Sequence, residues 1–126
     1  MNPKILLVTH GGVGSELVAL AQDLLGHLPH LDSISVTATD SLDTLTAKMQ
    51  KWASRLDPGR RGLILTDLKN SSATLSALTL AKSHPIDCLC GVNLPLLLKA
   101  LSPSETRLAD MVAAGRAGID VISKSK

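Results

Sequence analysis

The stretch ILLVTHGGVGSELVAL, residues 5–20, combines the features that decide the fold. An uninterrupted apolar run leads into Thr9 and His10, and three glycines and a serine follow within five positions. Apolar residues then recur at helical spacing. The first run predicts a strand buried on both faces over Lys4–Thr9. The later pattern predicts a helix that begins at Ser15 and ends near Leu28.

The rest of the chain continues this alternation of strand patterns and helix patterns. The further predicted strands are Ser33–Thr39, Gly62–Thr66, Ile86–Cys90 and Gly118–Ser123. The further predicted helices are Ser41–Leu56, a third from Ser71 or Ser72 to about Lys82, Leu94–Leu101 and Ser104–Ala114. Strands that alternate with helices imply a mainly parallel sheet covered on both faces. We therefore predict one α/β domain over residues 1–126, doubly wound, with helices on both sides of a mostly parallel sheet.

The composition argues against several classes of function. With one Trp and no Phe or Tyr in 126 residues, the chain lacks the aromatic side chains that stack on single-stranded bases. A net charge of +2 is too small to indicate a nucleic-acid partner. The apolar run Ile5–Val8 is too short for a signal peptide or a membrane span. Cys88 and Cys90 fit a buried strand better than a zinc site, and we expect a cytoplasmic protein.

The glycine-rich loop after His10 does not complete the common nucleotide-binding motifs. A phosphate-binding P-loop requires a lysine that this loop lacks. The dinucleotide fingerprint fails at Leu17, where a third small residue belongs, and Asp40 is only loosely placed as its acidic partner. The oxyanion loop of some hydrolases goes with a G-x-S-x-G elbow, which is absent. Histidine phosphatases carry arginine where Thr9 stands.

A second polar side chain, Asp67, follows the predicted strand GLILT just as His10 follows KILLVT. Parallel sheets bind ligands at the carboxyl ends of their strands, and a glycine-rich helix N-terminus attracts anions. His10 is therefore a candidate nucleophile for a phosphoryl group. If the two strands lie close together, Asp67 would hydrogen-bond one ring nitrogen and leave the other to react. The alternatives are that His10 only hydrogen-bonds a neighbouring loop and that Asp67 is a helix cap or turn residue.

Four segments, in order along nearly the whole chain, resemble one known family. ILLVTHGGVGSELVALAQDLLG resembles the opening of the enzyme IIA domains of the mannose/fructose class of the bacterial phosphoenolpyruvate:sugar phosphotransferase system (PTS). GLILTDL is similar to the family's third strand with its aspartate, and AAGRAGI is similar to its C-terminal end. CGVNLPLLLKAL is the most specific match, because it resembles the family's G-x-N-L-P-M-L segment.

The resemblance implies a phosphocarrier with its phosphohistidine at His10, supported by Asp67. The small phosphocarrier protein HPr would donate the phosphoryl group and an enzyme IIB would accept it. The backbone of Gly11, Gly12 and Gly14 would bind the phosphoryl oxygens, and neither a metal nor a nucleotide cofactor would take part. The resemblance further implies a homodimer in which the short C-terminal strand crosses to the partner subunit, and we expect this last strand to be antiparallel. Contact with a membrane would be indirect, through a transporter complex.

One segment departs from the family pattern. Members usually follow the Asp-Leu pair with two glycines, a serine and a proline, whereas this chain has Lys69, Asn70, Ser71, Ser72 and Ala73. Ser72 stands at the matching place, where it would hydrogen-bond a phosphoryl oxygen or cap the helix. Lys69 and Asn70 change the charge and shape of the loop, so we expect an altered surface for partner proteins.

Two other functions remain open from the sequence. Small chelatases of the sirohydrochlorin and cobalt type also open with a strand that runs into His-Gly, and they would use His10 with His84 to handle a divalent metal. This alternative lacks a convincing acidic partner and leaves the Gly-Val-Asn-Leu-Pro segment unexplained. The other alternative is a regulatory domain of the same fold without activity. Within the phosphotransferase system, the chain would serve a sugar transporter, a dihydroxyacetone kinase relay or a regulatory branch.

Overall fold

The computed structural model describes residues 2–103 and 105–123, and within these ranges strands and helices alternate as far as the fourth strand. The strands are β1 Lys4–His10, β2 Leu31–Val36, β3 Gly62–Thr66 and β4 Ile86–Leu89. The helices are α1 Val13–Leu25, α2 Leu42–Ala53, α3 Ser72–Ala81, α4 Leu94–Ala100 and α5 Leu108–Ala117. None of the helices in the described ranges is long and apolar enough to cross a lipid bilayer.

The strands form one sheet in the order β2-β1-β3-β4, and every neighbouring pair is parallel. The register places Val8 in the middle, opposite Ile34 on one side and Thr66 on the other. Because all four strands run the same way, their carboxyl ends lie at one end of the sheet. His10 is the last residue of β1 and Asp67 directly follows β3, so both lie at this end. The predicted parallel sheet is confirmed.

Side chains of β1 alternate between two hydrophobic cores, as the two-residue period of a strand requires. Leu6 and Val8 pack into the core beneath α2 and α3. Ile5 and Leu7 pack into the core beneath α1, α4 and α5. Each of these β1 side chains is at most 3% exposed, so both faces of the sheet are covered. The predicted doubly wound arrangement is therefore confirmed.

Helix α1 and strand β2 both begin and end earlier in the chain than the sequence pattern predicts. Helix α1 ends at Leu25 rather than near Leu28, because Gly26 adopts φ +87° and donates its N–H to Gln22. Strand β2 covers Leu31–Val36 rather than Ser33–Thr39. A turn replaces its predicted end, since the carboxylate of Asp40 accepts hydrogen bonds from the backbone N–H of Thr37 at 2.9 Å and from its hydroxyl at 3.1 Å. The same backbone bond and the ammonium of Lys48 lower the pKa of Asp40 to about 2.

The last helix also differs from its prediction. The expected helix Ser104–Ala114 is replaced by α5, Leu108–Ala117, while Ser104 itself lies outside the described residues. Arg107 takes an extended conformation, with φ −83° and ψ 154°, and occupies the N-cap position. Helix α5 therefore starts later than its apolar pattern suggests.

Residues Gly118–Ser123, predicted as a last strand, form no strand within the single chain. A strand requires a second strand that is hydrogen-bonded to it, and none of the four described strands pairs with these residues. Their apolar side chains are left in solvent: Ile119 is 76% exposed, Val121 61% and Ile122 100%. Among the described strands, β2 and β4 each pair on one side only, so β4 is one of the two edge strands of the sheet. Pairing of residues 118–123 with a second chain remains a prediction.

Candidate functional site

The side chains of His10 and Asp67 meet at the carboxyl end of the sheet. Oδ2 of Asp67 lies 2.9 Å from Nδ1 of His10 and also accepts the backbone N–H of His10 at 2.9 Å. The imidazole is 53% exposed, whereas the carboxylate is only 17% exposed. The predicted approach of these two strand-end residues is therefore present, and the histidine faces solvent with the aspartate behind it.

The hydrogen bonds of Asp67 determine which nitrogen of His10 carries the proton. Partial burial opposes ionisation of Asp67, but the hydrogen bonds from the backbone and ring of His10 outweigh it and lower the pKa of Asp67 below its usual value. Because an ionised carboxylate can only accept hydrogen bonds, Nδ1 must donate. In the neutral ring Nε2 then keeps its lone pair. The pair can therefore present Nε2 as a nucleophile toward solvent.

The loop that follows His10 leaves several backbone donors free at the start of α1. Gly11 adopts φ +53°, a conformation that favours glycine, and donates its N–H to the carbonyl of Val36 at 3.2 Å. Gly12 is the N-cap of α1 and has no side chain with which to cap the helix. Among the described residues, the N–H groups of Gly12, Val13 and Ser15 have no acceptor. These free donors next to His10 can serve an anion.

Gly14 differs from the other two loop glycines. It is buried, and its N–H donates to Oγ1 of Thr9 at 2.6 Å. A Cβ at this position would lie 2.7 Å from Oγ1 of Thr9 and 3.4 Å from Cβ of Leu7. The geometry thus assigns Gly14 to the contact between α1 and β1, and its N–H is already occupied.

The serine predicted to contact the phosphoryl group, Ser72, is the first residue of α3 and is exposed. Its hydroxyl makes no hydrogen bond to the described residues. The cap of α3 is its neighbour Ser71, whose Oγ accepts the N–H of Thr74. Lys69 and Asn70 are also exposed in this loop.

Sequence reasoning missed the hydroxyl groups that lie behind the site. Thr9 and Thr66 directly precede His10 and Asp67, and both are buried, at 0% and 1% exposed. Oγ1 of Thr66 lies 2.7 Å from Oγ1 of Thr74 in the first turn of α3. The sequence does contain a signal for them, because a threonine directly precedes the polar residue in both KILLVTH and GLILTD.

Asn93, which lies between β4 and α4, has a role in packing. Its Oδ1 accepts the N–H of Leu96 at 2.9 Å and so caps α4, while its Nδ2 donates to the carbonyl of Gly115 in α5 at 2.8 Å. A Cβ on Gly115 would lie 3.1 Å from Cβ of Leu96, and one on Gly118 would lie 2.4 Å from Cγ of Pro95. The GVNLP and AAGRAGI segments are therefore two sides of one contact between α4 and α5.

The structure separates the two histidines of the chelatase alternative. His84 precedes β4, whose first residue Ile86 lies level with Gly62 and Lys4 at the amino ends of the strands. His10 lies six residues farther along β1, about 20 Å at the usual rise of a strand. No group of three or more His, Cys, Asp or Glu side chains suited to hold a metal occurs in the described part of the chain. His84 instead lies 3.2 Å from the carbonyl of Leu80 through its Nδ1.

Comparisons with known proteins agree with this geometry. The sequence profile of the family EIIA-man, described as PTS system fructose IIA component, matches residues 4–114. The PTS system mannose-specific EIIAB component of Escherichia coli K12 is 28% identical over 130 residues, which cover 97% of this chain. The chain spans 40% of the length of that relative. The PTS system sorbose-specific EIIA component of Lacticaseibacillus casei is 27% identical over 114 residues, which cover 87% of this chain and 80% of the relative.

A solved structure is similar over the full length of the chain. The mannose/sorbose specific IIA subunit of the phosphotransferase system from Enterococcus faecalis has a TM-score of 0.89 and 27% sequence identity, and the match covers 100% of this chain and 98% of that one. The family profile covers most of the sequence, and the resemblance noted in its motifs is thereby confirmed. The chain belongs to the EIIA-man family of PTS IIA components.

Proposed function

We propose that this chain is a phosphocarrier that takes a phosphoryl group from HPr onto Nε2 of His10 and passes it to an enzyme IIB. The observation that carries the proposal is the 2.9 Å contact between Nδ1 of His10 and Oδ2 of Asp67. This contact leaves Nε2 unprotonated in the neutral ring, and the ring is half exposed. An imidazole that is half exposed is within reach of the phosphohistidine of a donor protein such as HPr.

The transfer is a displacement at phosphorus between two imidazoles. The lone pair of Nε2 forms the new N–P bond as the N–P bond of the donor breaks, and the donor nitrogen keeps the electron pair of that bond. His10 then carries a proton on Nδ1 and a phosphoryl group on Nε2, so its ring is cationic. The carboxylate of Asp67 stabilises this cation across the 2.9 Å hydrogen bond. Transfer to the acceptor reverses the same steps and restores the neutral ring.

The phosphoryl oxygens would be bound by groups of the protein alone, without a metal or a nucleotide cofactor. The free N–H groups around Gly12 are the nearest donors in sequence to His10, and the dipole of α1 adds to their attraction for an anion. The exposed hydroxyl of Ser72, at the start of α3, is a further candidate donor. Gly11 contributes by its turn, and Gly14 by the close packing of α1, since their N–H groups are used elsewhere.

Partner proteins would contact the rim of this site. Leu68 is 57% exposed beside Lys69 and Asn70, so this loop presents an apolar residue, a positive charge and an amide next to His10. We assign the loop to recognition of HPr and of enzyme IIB, in the cytoplasm, with membranes reached only through a transporter complex. The apolar segment Gly118–Ser123 and the open edge of β4 support a homodimer in which this segment pairs with the partner subunit.

Phosphorylation by purified components tests the proposal. The protein is incubated with phosphoenolpyruvate, enzyme I and HPr, and the expected result is an acid-labile mass gain of one phosphoryl group. The gain is expected to be lost in His10→Ala and kept in His84→Ala, a matched control at the other end of the sheet. A wild-type protein that gains no phosphoryl group, or a gain that survives His10→Ala, overturns the proposal.

A further inference from the structure

Thr66, Thr74 and Leu68 form a continuous hydrogen-bonded connection directly behind Asp67. Oγ1 of the buried Thr66 lies 2.7 Å from Oγ1 of Thr74. The hydroxyl of Thr74 donates to the carbonyl of Leu68 at 2.6 Å, and the hydroxyl of Ser71 donates to the same carbonyl at 2.8 Å. The end of β3, the first turn of α3 and the loop between them are thus joined by side-chain hydroxyls.

The number of available protons fixes the direction of these bonds. A carbonyl can only accept, so the single hydroxyl proton of Thr74 goes to Leu68. Thr66 must then donate to Thr74, which accepts with a lone pair of Oγ1. Every hydroxyl in the connection has a partner, and the core end of the connection is shielded from water because Thr66 is 1% exposed. Such a fully satisfied network has one stable arrangement.

Leu68, which these hydroxyls hold in place, is in turn hydrogen-bonded to Asp67. The N–H of Leu68 donates to Oδ1 of Asp67 at 3.0 Å, which leaves Oδ2 for the backbone and ring of His10. The hydroxyls of Ser71 and Thr74 bind the carbonyl of Leu68, and the N–H of Leu68 binds the carboxylate of Asp67. The orientation of Leu68 therefore determines the orientation of Asp67. The loop from Asp67 to Ser71 contains no glycine or proline, and these hydroxyl groups supply its constraint.

We propose that Thr66 and Thr74 are positioning residues for His10. They fix Leu68, and through it the carboxylate of Asp67, so that the proton of the ring stays on Nδ1 and Nε2 stays free to react. The consequence for the reaction rests on the proposed function. The consequence for the ring proton does not, and it is measured without any phosphoryl donor.

The variant Thr74→Val tests the proposal because it removes the hydroxyl and keeps the branched shape of the side chain. Nitrogen NMR of the ring, recorded at a pH where the ring is neutral, is expected to show one tautomer with Nδ1–H in the wild type and a mixture of two in the variant. The rate of a single phosphoryl transfer from HPr is expected to fall roughly tenfold to a hundredfold, at an unchanged half-saturating concentration of HPr. Thr74→Ser is expected to restore both properties.

The matched control is Thr79→Val, which removes an exposed threonine of the same helix whose hydroxyl bonds only the carbonyl of Leu75. It is expected to leave the tautomer and the rate unchanged. A folded Thr74→Val with a single Nδ1–H tautomer and the wild-type rate overturns the proposal. If Thr74→Val does not fold, Thr66→Val decides by the same two readouts, because it removes the other hydroxyl and leaves the cap of α3 intact. A wild type that takes up no phosphoryl group refutes the proposed function, and the tautomer comparison still decides this inference.

Discussion

The carboxylate of Asp67, directly after β3, binds His10 at the end of β1. Its Oδ2 accepts both the backbone N–H and the ring N–H of His10, and its Oδ1 accepts the N–H of Leu68. Partial burial favours the neutral acid, but these bonds favour the ionised form more, so the pKa of Asp67 lies below its usual value. Because the lowered pKa belongs to the folded state, Asp67 stabilises that state only while it is ionised.

We therefore expect Asp67→Asn to lower the free energy of unfolding in a pH-dependent way. Near neutral pH the loss is about 1 kcal/mol, at the lower end for a charged hydrogen bond because solvent reaches the site. The difference between wild type and variant is fully present above the usual carboxyl pKa of 3.8 and disappears as the pH falls through the lower value of the folded protein. Denaturant unfolding at a series of pH values measures it.

Asp23→Asn is the matched control for this measurement, since Asp23 is exposed on α1 and its carboxylate has no hydrogen bond or ion pair to the described residues. It is expected to change the stability little at any of these pH values. A loss in Asp67→Asn that stays constant down to the lowest pH would contradict a role for the charge.

The sequence predicts which residues face the site better than how they are held there. His10 and Asp67 are predictable because each is the first strongly polar residue after an apolar run, and parallel strands bring such residues together. The roles of Thr66 and Thr74 are not predictable, because the partner of a hydroxyl depends on the path of a loop whose family pattern is altered here. Asn93 lies past a strand end as well, but α5 occupies the space in front of it.

The start of helix α1 requires glycine at Gly14 but not at Gly12. Gly14 lies where α1 crosses β1, and there a Cβ would meet Oγ1 of Thr9 at 2.7 Å. At Gly12 the nearest atom to a Cβ would be Oγ of Ser15 at 3.8 Å, with φ −85°, which any residue adopts. Two glycines of one loop therefore differ in the space around them.

We expect Gly14→Ala to destabilise the fold by about 1–3 kcal/mol. The added methyl group would displace the buried Thr9 and break the hydrogen bond from the N–H of residue 14 to Oγ1 of Thr9. Gly12→Ala is expected to cost less than about 1 kcal/mol, the usual difference between these residues at an N-cap. Thermal or denaturant unfolding of the two variants checks the order. Equal losses would show that Gly14 has no special packing role.

The ends of helices and strands are predicted well where residues of the same chain determine them. Strand β3 matches its prediction over Gly62–Thr66 because every residue in it is buried between the two layers of helices. Helix α1 ends earlier than predicted because the left-handed Gly26 ends it before Pro29 is reached. The segment Gly118–Ser123 has the alternation of a strand but no neighbour in its own chain. Whether this segment forms a strand depends on a pairing partner, which the sequence pattern of one chain does not specify.

The candidate site and the strand edges that are open to a partner lie in different parts of the sheet. The parallel topology brings His10 and Asp67 to the carboxyl end of the sheet, while β2 and β4 are its two edge strands. An open strand edge and an exposed apolar segment are features that folded proteins usually cover. Residues 118–123 of a second copy would cover both at once, and this is the arrangement that the proposed homodimer requires.

Replacement of the three apolar residues of this segment by serine tests the dimer. The variant Ile119→Ser, Val121→Ser, Ile122→Ser is expected to elute as a monomer in size-exclusion chromatography with light scattering, whereas the wild type elutes as a dimer. All three side chains are more than half exposed in the single chain, so the variant loses little packing within it and is expected to remain folded. Leu24→Ser, which alters a residue of α1 that is 57% exposed, controls for surface apolarity and is expected to stay dimeric. A monomeric wild type, or a variant that remains dimeric, would contradict the exchange of this segment, because its apolar side chains are then not needed for association.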